Sequence, residues 1–135
     1  MKPLAPALFL LAGPAFADCA ALEAMAARDA DGAAALFAPH QATCQTALQT
    51  TGETLVCYSA HPFRSETATD LAAEVEAGIA TCFGAPARQQ DAGVNHPDSY
   101  VARWFDVGEA RIYLSVKDKG ALAQTLVFVR AARAQ

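Results

Sequence analysis

The chain has 135 residues, 53% of them hydrophobic, with 14 acidic against 10 basic side chains and a net charge of −4. So apolar a composition, with no repeat, excludes a disordered or low-complexity chain and points to one domain around one core. The negative balance argues against a general nucleic-acid binder.

Residues 1–17 read as a secretory signal peptide. Lys2 supplies the positive start, Leu4 to Leu11 a short apolar run, and Ala15-Phe16-Ala17 an A-x-A cleavage site. The run falls short of the roughly 20 apolar residues that a spanning helix needs. No later segment is longer, so no membrane span is expected after cleavage. Asp18 separates Ala17 from Cys19, which disfavours a lipid anchor there. The expected destination is periplasmic or secreted. Residues 18–135 then form a single disulfide-stapled domain.

That domain carries all four cysteines: Cys19, Cys44, Cys57 and Cys82. An even number in an oxidising compartment reads as two disulfides. The chain has no C-x-x-C pair, the spacing that a thiolate metal site or a redox motif would favour.

In chain order, Asp18 to about Arg28 is a short helix capped by Asp18, with Cys19, Leu22 and Met25 at helical spacing. "AALFAP" is ambiguous between a helical turn and an extended piece. Thr43 to Gln49 and Thr54 to Ala60 read as a β-hairpin around "TTGE". With Thr51-Gly52 as the turn, Leu48 opposes Leu55, Thr46 opposes Cys57 and Cys44 opposes Ser59, and both cysteines face inward. Ser65 or Thr67 starts a helix running to Phe83, with Leu71, Val75, Ile79 and Cys82 on one stripe and Gly84 closing it. Gly84 to Ser99 is a long loop. Three alternating strands follow: Tyr100 to Val107, Ala110 to Val116 and Gln124 to Ala131.

The expected fold is therefore α+β, order αββαβββ, an antiparallel sheet with two helices packed on one face. The preferred disulfides are Cys57 with Cys82, tying helix to sheet, and Cys19 with Cys44. The rival is Cys44 with Cys57, diagonal neighbours in that hairpin register.

Function is less legible. Charge is uneven: up to Phe83 the mature chain has nine acids against Arg28 and Arg64, while from Gly84 onward seven bases face five acids. Glu66, Asp70 and Glu74 share one helical stripe and form a candidate surface for a basic envelope protein. "NHPDSY" holds the residue types of a hydrolase triad, but sequence neighbours rarely make that geometry, and the same residues build a turn. His61, Arg64, His96, Asp98 and Tyr100 form a candidate ligand site around the long loop. Two histidines with Asp98 are also metal-ligand types, but no ligand spacing supports a metal. Tyr100 and Trp104 share one strand face and become a binding platform only if that face points outward. Nucleotide-binding and α/β-hydrolase signatures are missing, so no cofactor is expected. The leading expectation is an exported non-enzymatic binding or inhibitor-type protein. The alternative is a small-ligand-binding or hydrolytic domain using the 84–99 loop.

Overall fold

The computed structural model describes residues 18–50, 52–89 and 100–134, so the expected signal peptide and most of the long loop lie outside the described residues. These described residues form a small α+β domain, with six antiparallel strands among them in one sheet and the helical layer on one of its faces.

The helical layer begins with α1 (Cys19–Ala26), whose first turn is capped by the Asp18 carboxylate accepting from the Ala20 N–H at 2.9 Å. Ala21, Leu22 and Met25 turn into the core. The segment that reads ambiguously as "AALFAP" is helical. It comprises α2 (Ala30–Ala33) and a 3-10 turn (Ala34–Phe37) that sinks Ala33, Leu36 and Phe37 into the core. Gly32 permits the close approach of α2 to α1, since a Cβ there would stand 2.7 Å from the Ala24 Cβ.

Strands β1 (Thr43–Gln49) and β2 (Gly52–Pro62) make the expected hairpin, two residues out of the expected register. Gln49 pairs with Gly52, which stands at φ +117°, a backbone state that suits glycine. Leu48 therefore faces Glu53, and Cys44 faces Cys57 directly. A slip of two preserves which face each side chain takes, so both cysteines still point inward.

This register decides the disulfides, which differ from the preferred pairing. Cys44 bonds Cys57 across the hairpin, and Cys19 at the start of the first helix bonds Cys82 near the end of α3 (Glu66–Phe83). The rejected pairs are Cys57 with Cys82 and Cys19 with Cys44. Helix α1 packs on α3 rather than on the hairpin edge, which brings the Cys19 and Cys82 Cα atoms to 5.7 Å.

Ser65 occupies the N-cap of α3, but its hydroxyl pairs with Thr67 Oγ1 at 2.9 Å rather than with a helix N–H. Leu71, Val75 and Ile79 are buried against the sheet, and Gly84 ends the helix at φ +64°. A two-residue β3 (Arg88–Gln89) precedes the expected meander of β4 (Tyr100–Val107), β5 (Ala110–Lys119) and β6 (Gln124–Arg133). Gly108 makes the first meander turn at φ +59°. The sheet order is β1-β2-β6-β5-β4-β3, so the last strand joins the hairpin to the meander.

Alternation along the strands gives two unlike faces. Leu55, Cys57, Phe105, Ile112, Leu114, Val127, Val129 and Ala131 face the helices and are buried. The opposite residues face away from the helices. No described helix is long and apolar enough to cross a membrane.

Candidate functional site

Two regions concentrate polar chemistry. The first closes the inner face at one end of the sheet, where His61, Thr125 and Asp118 lie opposite one another on β2, β6 and β5. Ser59 Oγ and His61 Nε2 are 2.7 Å apart, and His61 Nδ1 meets Thr67 Oγ1 at 3.0 Å. Each ring nitrogen thus has a hydroxyl partner, which suits a neutral imidazole with one donor and one acceptor. The His40 ring stands edge-on at 4.7 Å. Burial, and then the charge on nearby His40, push the His61 pKa below its ordinary value of 6.5.

Beside this pair, the Asp118 carboxylate accepts from the Thr125 hydroxyl at 2.7 Å and from Arg64 Nε at 3.2 Å. The Arg64 backbone N–H donates to Thr125 Oγ1 at 2.7 Å. Arg64 adopts φ +54°, and these bonds hold that turn against the sheet just before α3 begins. A Ser–His contact is a component of nucleophilic catalysis, which further requires an accessible hydroxyl and a group orienting the base. Here Ser59 is 1% exposed and His61 4% exposed, and the Asp118 carboxylate is engaged by Thr125 and Arg64. The arrangement locks the β2–α3 junction. Among the described residues no buried side-chain polar atom lacks a partner.

This cluster makes a testable pH effect. The unfolded chain takes up a proton on His61 near pH 6.5, before the folded protein does, so stability falls as pH drops below about 6.5 towards the lower folded pKa. Below that folded value the loss is complete. Thermal melts between about pH 7.5 and 5 will show this acid-side slope, and His61→Gln will remove it. An identical slope in the variant would refute the assignment.

The second region is the open face of the sheet. One cross-strand row carries Val56, Arg130, Tyr113, Trp104 and Arg88 on β2, β6, β5, β4 and β3. The Arg130 guanidinium lies 3.9 Å from the Tyr113 ring centroid, and Arg111, one row away, lies 3.9 Å from that of Trp104. Arg88 covers the same indole at 5.2 Å. Such stacking leaves the guanidinium edges free to bond carboxylates or phosphates. Asp106 Oδ1 accepts from Arg111 Nε at 2.8 Å, and this bond is the main cause raising the Arg111 pKa further. Among the described residues, Arg88 and Arg130 have no ion-pair partner. In the next row the Tyr58 and Phe128 rings lie 5.6 Å apart, centroid to centroid. Val56, Tyr113, Ser115, Phe128 and Arg130 line a shallow cavity of about 210 Å³ between the rows.

The expected site residues separate accordingly. His61 and Arg64 are close, but internal hydrogen bonds engage both. His96 and Asp98 lie outside the described residues, and Tyr100 is placed only by its register opposite Lys117. Glu66, Asp70 and Glu74 are exposed on α3, which covers the opposite face of the sheet from the arginine row. No group of three or more His, Cys, Asp or Glu among the described residues is placed to hold a metal ion. The arginine–aromatic row escaped the sequence reading because its members come from four strands. The legible signal was Trp104 at an outward strand position. Compared with models of known protein families and with curated proteins, the chain matches none.

Proposed function

We propose that this protein is an exported, non-catalytic binding module that takes an anionic partner on the open face of its sheet. The observation that carries this reading is the single row across adjacent strands in which Arg88 and Arg130 flank the rings of Trp104 and Tyr113, each cation over the ring beside it. Cations stacked on rings are partly pre-ordered, which lowers the entropy cost of gripping a carboxylate. Two disulfides and a continuous sheet hold the row rigid. The disulfides also accord with an oxidising compartment, the periplasm or the exterior.

Trp104 is the sole tryptophan, so its fluorescence reports on this face directly. Titration with oligoglutamate and with oligogalacturonate will shift that emission, and salt will weaken the effect. The double variant Arg88→Ala, Arg130→Ala will lose about tenfold or more in affinity, while Glu66→Gln, Asp70→Gln, Glu74→Gln will bind as before. Unchanged binding by the arginine variant, or binding of oligolysine that depends on the three acids, would move the partner surface to α3.

A further inference from the structure

The two edges of the sheet are built differently. One is β3, of which Arg88 and Gln89 are described, and it opens with a charge. The other is β1, seven residues of sequence TCQTALQ with no charge and no proline. Among the described residues no strand pairs with its outer side: Thr43 and Gln45 to Gln49 are exposed, and Leu48 is 89% exposed. Proteins blunt free edges with charges, prolines, bulges or covering segments, and among the described residues β1 has none of these over its length.

The backbone register fixes which groups the edge presents. In a two-residue hairpin the pair flanking the turn, Gln49 with Gly52, is hydrogen-bonded, and the pairs alternate from there. Cys44, Thr46 and Leu48 therefore sit at non-hydrogen-bonded pairs with β2, their N–H and C=O groups pointing outward. The 4.0 Å Cα separation of Cys44 and Cys57 agrees independently, because non-hydrogen-bonded pairs lie at about 4.5 Å and bonded ones at about 5.5 Å.

We infer that β1 is a self-association strand: two copies of this protein pair β1 to β1 in antiparallel fashion about a two-fold axis at Thr46. In that register Thr46 faces Thr46 of the second copy, and Cys44 faces its Leu48. The three residues with outward backbone groups thus become hydrogen-bonded pairs on both strands. No charged residue opposes another along the strand, and the exposed Leu48 side chains gain cover over the Cys44–Cys57 disulfides. The interface is isologous and closes, giving a dimer rather than a fibre. The two-fold axis stands normal to the sheet, so both open faces point the same way and the two arginine–aromatic rows can engage one polymeric ligand together.

Thr46→Pro tests this directly. The Thr46 N–H points away from β2, so proline there removes no bond within the hairpin but blocks pairing at the axis. Sedimentation equilibrium of the oxidised protein will give a concentration-dependent mass rising to twice that of one chain. Thr46→Pro and Thr46→Lys will both stay monomeric, with wild-type circular dichroism and both disulfides intact. Hydrogen exchange will show Cys44, Thr46 and Leu48 amides protected only in the wild type at high concentration. A monomer at the highest soluble concentration overturns the inference. So does a dimer that survives both substitutions, as one held by the open face around Tyr58 and Phe128 would.

Discussion

The double variant Cys19→Ala, Cys82→Ala will be less stable than the wild type by ~4 kcal/mol, from the entropy of closing a long loop. The bond joins residues 63 apart, from the start of α1 to near the end of α3, and encloses the whole hairpin. Small domains have only about 5–15 kcal/mol in total, so a loss of this size is a large share of such a margin. Removing Cys44–Cys57 will cost less. Its loop spans 13 residues, and the register already holds its two strands together. Urea unfolding of both variants checks the order, with a steeper dependence expected where the unfolded chain expands most. A larger loss for Cys44→Ala, Cys57→Ala would show that the hairpin edge, not the helical layer, limits stability.

Phe37→Ala will cost ~3–5 kcal/mol, the range for emptying a fully buried aromatic site. Phe37 has no exposed surface and sits at the end of the 3-10 turn that leads from α2 toward β1. Its ring and Leu36 are the buried anchors of this turn, so the surrounding chain has little with which to refill the cavity. Leu122→Ala, at a side chain 63% exposed, is the control and should stay within about 0.5 kcal/mol. Equal effects at the two positions would contradict the burial pattern that defines the core.

Patterns with a short period were legible in the residues themselves. The stripe Leu71, Val75, Ile79 defines α3, Gly84 ends it, and strict alternation marks β4, β5 and β6. Each needs only the geometry of one element, which local spacing encodes. The inward direction of Cys44 and Cys57 was legible for the same reason, since a slip of two residues leaves the facing unchanged.

What only the tertiary structure decided depends on comparisons between elements. Leu48 could face Leu55 or Glu53, and the choice of Glu53 moved Cys57 from a diagonal to a direct partner of Cys44. Packing of α1 on α3 then left Cys19 for Cys82. His61 and Arg64 looked like ligand groups because residue type carries no information about burial. The partners of Arg64, Thr125 and Asp118, are supplied by distant strands, and those of His61, Ser59 and Thr67, close on it only once β2 and α3 are placed. The arginine–aromatic row depends on β6 lying between β2 and β5 and on the pairing of β3 with β4. The sequence by itself determined where α1, α3 and the five longer strands lie and which side of each is apolar, because both follow from backbone periodicity, whereas the short α2, the 3-10 turn after it and β3 escaped it. Strand order, disulfide partners and the composite face were decided by tertiary packing, because each is a contact between residues far apart in the chain.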